Sequence, residues 1–124
     1  MFGSLSSNYP QVEFYKDGDM IRISPKIFEA LALGRKKSTI RTGVRIAIPG
    51  TRLVVSTQDG RHVDKLVDSV IVKRLNDVTD KEAKLDGFRS TRELMYALRE
   101  FYRTITGSDV VTIINFLPMS TEKS

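Results

Sequence analysis

Apolar and polar residues alternate over short runs along most of the chain, which is the pattern of half-buried strands. Runs of this kind, together with β-rich or buried-looking runs, predict six strands, at residues 12–14, 20–23, 39–41, 52–57, 63–74 and 109–116. The 63–74 run is rich in β-branched residues and predicts one long strand that can carry a bulge. Asp17-Gly18, between the first two runs, predicts a hairpin. Pro49-Gly50 and Asp59-Gly60 predict further turns.

Three segments change to helical spacing. Ser24-Pro25 supplies a cap and a proline at the first helical position, and Gly34 supplies a stop. Thr79 with Glu82 and Ser90 with Glu93 have the spacing of capping boxes at the starts of two more helices. The last helix carries an apolar stripe of Leu94, Leu98, Phe101 and Tyr102. We expect Phe101 to pack in the core. Tyr102 is amphipathic, so its hydroxyl can face a pocket.

Six strands and three helices predict an α+β domain with a mainly antiparallel sheet, and periodicity alone leaves a barrel and a sandwich open. A chain of 124 residues accommodates one hydrophobic core. We therefore predict one domain at 11–118 between flexible termini at 1–10 and 119–124, which are small and polar.

Composition excludes several chemistries. The absence of cysteine excludes disulfides, thiolate zinc sites and thiol catalysis, and a single histidine, His62, excludes a multi-histidine metal site. We expect His62 to be exposed, and we expect no metal or cofactor. No run is apolar enough to span a membrane and the N-terminus lacks the features of a signal peptide, so the sequence predicts a cytoplasmic protein without a membrane partner. Its oligomeric state stays open.

The net charge of +5 mildly favours a polyanionic partner, and it is concentrated in one region. Between Glu29 and Asp59 there is no acidic residue, and the interval contains Arg35, Lys36, Lys37, Arg41, Arg45 and Arg52. A basic run of this length is, by itself, more often a solvated surface than a site. The candidate residues for binding RNA or another substrate are Arg35, Lys36, Arg41 and Arg45.

Strand alternation divides the run further. If residues 39–41 are extended, Thr39 and Arg41 point to the same side, and Lys36 can reach that side from the preceding loop. Lys37, Ser38 and Thr42 would then face the other way. An ammonium, a hydroxyl and a guanidinium brought together can hold a phosphate or can support nucleophilic chemistry by the hydroxyl.

Two blocks in this order resemble the ASCH (activating signal cointegrator homology) domain. Residues 34–41, GRKKSTIR, resemble its signature G-x-K-x-x-[T/E]-x-R. Asp86-Gly87-Phe88, followed by Ser90, Glu93-Leu94, Leu98 and Tyr102, resembles its second block, and residues 110–116 resemble its last strand. The resemblance covers about residues 27–116. It implies a PUA-like fold, a small mainly antiparallel β-barrel with flanking helices, and an association with RNA.

The threonine in the motif is similar to that of one bacterial subgroup, the N(4)-acetylcytidine amidohydrolases. For this chain the resemblance implies Thr39 as nucleophile, Lys36 as base or proton shuttle, and Asp86 where the subgroup has glutamate. Three hypotheses follow: a domain that binds RNA or a modified nucleoside in a cationic pocket, an amidohydrolase acting on an acylated cytidine, or a protein-interaction module. The expected partner is RNA or a nucleoside.

Overall fold

The computed structural model describes residues 12–118, so the termini predicted at 1–10 and 119–124 lie outside the described residues. The strands in this range are β1 (Val12–Phe14), β2 (Met20–Arg22), β3 (Ser38–Thr42), β4 (Val44–Ile46), β5 (Arg52–Ser56), β6 (His62–Arg74) and β7 (Val110–Phe116). The helices are α1 (Pro25–Ala32), α2 (Asp80–Leu85) and α3 (Thr91–Phe101), with a 3-10 turn at Leu75–Asp77.

Five strands form one curled sheet in the order β2-β5-β6-β7-β3, and β1 pairs with β4 beside it. Three of the four pairings in this sheet, β5 with β6, β6 with β7 and β7 with β3, are antiparallel, whereas β2 with β5 and β1 with β4 are parallel. β6 is the long strand predicted, and its register shifts between Val67 and Ser69, as a bulge requires. This half-barrel with flanking helices has the predicted PUA-like α+β architecture.

The predicted hairpin between β1 and β2 is wrong, although the turn itself is present. Asp17 and Gly18 bind β5 instead: Asp17 Oδ1 accepts from Arg52 N–H at 2.8 Å, and Gly18 N–H donates to Arg52 O at 2.7 Å. β2 therefore forms its backbone hydrogen bonds with the edge of β5, while β1 pairs with β4. β4 itself was missed, because Val44–Ile46 is only three residues long and lies inside the basic run.

The apolar residues form two clusters. One consists of Tyr15, Ile21, Phe28, Leu31, Leu53, Val55, Val67, Ile114 and Phe116, and it lies beneath α1. The other lies beneath α2 and α3 and consists of Ile40, Leu75, Val78, Ala83, Leu94, Leu98, Ile105, Val111 and Ile113. β7 contributes to both clusters, so this strand joins the two halves of the core. Among residues 12–118, no helix combines the length and apolar character needed to cross a bilayer.

Candidate functional site

The end of α1 fixes the position of Lys36. Gly34 adopts φ +82°, its N–H donates to Leu31 O at 3.1 Å, and Arg35 N–H donates to Ala30 O at 2.9 Å. These two bonds make a Schellman motif, in which the residue with positive φ is usually glycine. Lys36 N–H also donates to Ala30 O at 3.1 Å. The chain therefore turns sharply at Gly34 and delivers Lys36 to the start of β3.

The end of α2 repeats this motif and fixes the position of Asp86. Gly87 adopts φ +96°, its N–H donates to Lys84 O at 3.0 Å, and Phe88 N–H donates to Ala83 O at 2.9 Å. Asp86 is the C-cap of the helix. The glycines of the two sequence blocks thus have the same physical role, because each ends a helix and turns the next residues toward the other block.

Lys36 and Asp86 meet in a buried ion pair. Lys36 Nζ lies 2.5 Å from Asp86 Oδ1 and also donates to Asp86 O at 3.2 Å, and the two residues are only 6% and 4% exposed. Ser38 Oγ donates to the same Oδ1 at 3.1 Å and is completely buried. The prediction that Ser38 faces away from Lys36 is therefore wrong. Residues 36 and 38 are two apart, so extended backbone directs both side chains toward Asp86.

Burial shifts both groups of the pair toward their neutral forms. The pKa of Lys36 is lowered, chiefly because the ammonium has lost its hydration, and the nearby Arg41 charge acts in the same direction. The pKa of Asp86 is raised, also chiefly by burial. The attraction between the two charges opposes both shifts. Such perturbed pKa values, caused by burial beside a charged partner, cluster at functional sites.

A cavity of about 300 Å³ opens beside this pair. Its polar wall contains Lys36, Thr39, Arg41 and Asp86, so the structure brings together the four residues predicted to share a pocket. The rest of the wall is mainly apolar and comes from β3, from the start of α1 and the residue before its cap, from the segment after α2 and from the end of α3: Ile23, Ile27, Ile40, Phe88, Ala97, Leu98, Phe101 and Tyr102. Arg22 and Ser24 complete the lining. Such a volume is at the lower end of the range typical of small-molecule sites, about 300–1,000 Å³.

Two polar groups at the cavity are left without protein partners. Arg41 Nε is buried and has no hydrogen-bond partner among residues 12–118, while Arg41 Nη2 makes one long contact of 3.5 Å to Arg22 O. Thr39 is only 5% exposed, and its hydroxyl forms no hydrogen bond with any residue in the range 12–118. Buried donors normally have partners, so these groups are available to a ligand.

The end of α3 supplies an aromatic wall. The expectation that Phe101 packs in the core is wrong, since its side chain is 60% exposed at the cavity. Phe101 is in the last helical turn, beyond Leu94 and Leu98, which hold the helix to the core. Tyr102 lines the cavity as well, and it is the C-cap residue with non-helical φ −128° and ψ 87°. These two neighbouring aromatic residues therefore line one ligand-sized space.

Two of the predicted binding residues lie outside the cavity. Arg35 is exposed and lines a separate shallow depression. Arg45 is held elsewhere, with Nη1 at 2.7 Å from Glu13 Oε1 and Nε donating to Thr42 O at 3.0 Å. Their roles in binding stay predictions. Lys37 and His62 are exposed, as expected.

Several cavity residues were missed in the sequence. Ile23 belongs to the predicted strand run 20–23, Ile27 to the apolar pattern of α1 and Ala97 to that of α3, and in these patterns nothing separates a cavity residue from a core residue. Arg22 stands outside the acid-free run that drew attention to the other cations. Phe88 had a signal, because it follows Asp86-Gly87 directly and the Schellman motif fixes its direction.

Comparison with known proteins gives structural neighbours only. No family model matches the sequence, and no curated protein matches it either. The crystal structure of an ASCH domain from Lactobacillus crispatus is similar, with a TM-score of 0.66 at 16% identity over 93% of this chain and 84% of that one. An ASCH structure from Zymomonas mobilis gives a TM-score of 0.61 at 14% identity over 79% of this chain and 65% of that one. A protein from Enterococcus faecalis gives 0.58 at 13% identity over 95% and 89%. The resemblance seen in the two sequence blocks is thus confirmed in the architecture: this chain has the fold of the ASCH domain.

Proposed function

We propose that this ASCH-fold chain binds RNA or a modified nucleoside by taking one base into the cavity beside Lys36 and Asp86. The observation that carries the proposal is the partnerless Arg41 Nε–H in a cavity whose other wall is aromatic and aliphatic. A nucleobase has a flat apolar face and a polar edge. The rings of Phe88, Phe101 and Tyr102 suit the face, and Arg41 and Thr39 suit the edge.

The charges at the cavity favour a base over a phosphate group as the deeply bound part. Asp86 neutralises Lys36 inside the site, so this ammonium offers little net attraction to an anion. The positive charge that remains is on Arg22 and Arg41. A neutral, flat ring with hydrogen-bond acceptors is therefore a better match for the wall than a multiply charged group.

Calorimetry with cytidine, N(4)-acetylcytidine, ribose and inorganic phosphate tests this proposal. We expect both nucleosides to bind with a Kd on the order of 0.1 mM, from about 0.3 kcal/mol per non-hydrogen atom. Ribose and phosphate lack the aromatic face and should give no binding heat. Binding of phosphate or ribose with the affinity of cytidine, or no binding of either nucleoside, would contradict the proposal.

A second candidate function is hydrolysis of N(4)-acetylcytidine, and the lowered pKa of Lys36 beside Thr39 favours it. In this reaction the neutral Lys36 amine takes the proton of Thr39 as Oγ attacks the acetyl carbonyl carbon. The C–N bond then breaks, Lys36 returns the proton to the exocyclic nitrogen, and cytidine leaves. Water hydrolyses the acetyl ester on Thr39 and releases acetate. One observation opposes Lys36 as the base for Thr39, because Lys36 Nζ is hydrogen-bonded to Asp86 and not to Thr39.

Chromatography of N(4)-acetylcytidine after incubation with the protein tests the hydrolase. Turnover should fall by about 100-fold or more in Thr39→Ala, because the nucleophile is lost. Thr42→Ala, on the same strand and outside the cavity, is the matched control and should keep wild-type turnover. Turnover that survives Thr39→Ala would remove the nucleophile assignment, and absence of turnover in the wild type would leave binding as the function.

A further inference from the structure

A basic depression adjoins the cavity at Phe88, which lines both. It is lined by Ala30, Arg35, Lys84, Gly87, Phe88 and Arg89. We call Arg35, Lys84 and Arg89 the basic rim. All three are exposed, and they come from the two segments that end α1 and α2.

The basic rim is held in place by bonds between these two segments. Lys37 N–H donates to Leu85 O at 2.7 Å, one residue from the buried contact between Lys36 and Asp86. A Cβ atom built on Gly87 would lie 3.9 Å from Lys36 Cβ, so the backbones approach closely. Cations from two separate parts of the sequence are therefore presented together on a fixed backbone.

Nothing in the depression neutralises the basic rim. Its lining includes no acidic residue, and none of the three cations forms an ion pair with another residue in the range 12–118. Some other cations of the fold are paired: Lys73 Nζ lies 2.9 Å from Glu82 Oε1, and Arg45 Nη1 lies 2.7 Å from Glu13 Oε1. Three unopposed cations within one shallow depression produce a local positive potential suited to phosphates.

Phe88 connects the basic rim to the cavity, since this residue lines both. We propose that the ligand is one nucleotide of a single-stranded nucleic acid, with its base in the cavity and the neighbouring phosphates on Arg35, Lys84 and Arg89. This inference rests on the proposed function, and it assigns a strand, in preference to a free nucleoside, as the ligand. A base must be unpaired to enter the cavity, which is why the strand is single.

The salt dependence of strand binding tests this assignment. A short fluorescein-labelled oligocytidylate RNA is titrated by anisotropy at about 50 and about 200 mM salt. Wild type is compared with the rim variant Arg35→Gln/Lys84→Gln/Arg89→Gln. The matched control, Lys16→Gln/Arg74→Gln/Arg99→Gln, removes the same net charge from exposed positions that line neither the cavity nor the basic rim. Thermal unfolding verifies that both variants fold, and cytidine binding is measured on all three proteins.

We expect the rim variant to bind the strand about 100-fold more weakly near 0.1 M salt, with a salt slope smaller by about 2, since each phosphate contact contributes about 0.7 to the slope. The control should lose less than about threefold. Cytidine, which has no phosphate, should bind the rim variant as it binds the wild type.

Four results would overturn the inference. If the strand binds no tighter than cytidine, or if the rim and control variants lose affinity equally, the basic rim does not contact phosphates, and cytidine binding alone still supports the proposed function. Tighter binding to phosphatidylserine vesicles than to the strand would assign the basic rim to a lipid surface. Rim-dependent strand binding without any cytidine binding would support the basic rim while contradicting the cavity as the site of the base.

Discussion

Lys36→Met should destabilise the fold by about 3–5 kcal/mol near neutral pH, the largest stability effect we expect from a single substitution at the site. Met is similar in length and fits the apolar part of the lysine side chain. It leaves the Asp86 carboxylate buried, 4% exposed, with Ser38 as its remaining side-chain hydrogen-bond partner. An unpaired buried charge is costly, whereas the intact pair contributes little net stability.

The loss in Lys36→Met should depend on pH, with a sign fixed by Asp86. Burial already raises the pKa of Asp86, and removing Lys36 removes the main influence that opposes the rise. A carboxyl whose pKa is higher in the folded state than in the unfolded state does not destabilise the fold at a pH below its unfolded pKa, about 3.9. Stability is lost as the pH rises from there through the folded pKa. The variant should therefore be close to wild type near pH 4 and most destabilised near pH 8.

Urea unfolding at about pH 4 and about pH 8 measures this effect. Lys73→Met is the matched control, since it breaks the more exposed pair with Glu82 and should cost less than about 1 kcal/mol. In Lys36→Met/Asp86→Asn neither charge of the pair remains, and at least half of the lost stability should return. A loss that is the same at both pH values, or no recovery in the double variant, would show that the pair is not isolated from solvent.

Ala97→Trp should weaken cytidine binding by about 100-fold while leaving the fold intact. Ala97 lines the cavity from α3, so a tryptophan there occupies the space assigned to the base. The ring enters open space and not a close-packed core, so the free energy of unfolding should change by less than about 1 kcal/mol. The loss of affinity is measured by calorimetry.

Tyr96→Trp is the control for this substitution. It introduces the same ring one residue earlier on α3, at a position that is 74% exposed and does not line the cavity. Cytidine should bind this variant with wild-type affinity. If Ala97→Trp also binds cytidine normally, the base does not occupy the cavity beside Lys36.

Local sequence signals predicted the parts of the fold that short-range bonds determine. Ser24 and Thr79 cap their helices, since Ser24 Oγ accepts from Ile27 N–H and Thr79 with Glu82 forms a complete capping box. Ser90 also caps α3, but Glu93 accepts from Arg89 N–H and does not close the box on Ser90 itself. Bonds of this kind involve residues three or four apart, so spacing in the sequence reveals them.

The parts that the sequence did not predict depend on long-range pairing. The Asp17-Gly18 turn suits a hairpin, yet the edge of β5 offered β2 a better partner than β1. Ser38 was assigned to the outer side of β3, because alternation was counted from Thr39 and the distant Asp86 could not be placed. Phe101 was expected in the core, since helical spacing does not reveal that a cavity lies where the stripe ends.

The cavity residues were predicted best where two signals agreed. Strand geometry and the first resembling block both selected Lys36, Thr39 and Arg41, the second block alone selected Asp86, and all four line one cavity. Arg35 and Arg45 were selected by charge alone, and neither lines it. Basic residues cluster in a sequence for several reasons, whereas a glycine that ends a helix fixes the direction of the residues beside it. The two blocks that contain such a glycine were therefore the more specific signal.

The most direct test of a base-binding cavity is a titration of isotope-labelled protein with cytidine, followed through the backbone amide resonances. We expect saturable shifts grouped at residues of the cavity wall, namely Thr39, Arg41, Phe88, Ala97 and Tyr102, with β1 and β4 unaffected. Shifts grouped on another surface, or none at millimolar cytidine, would contradict the account.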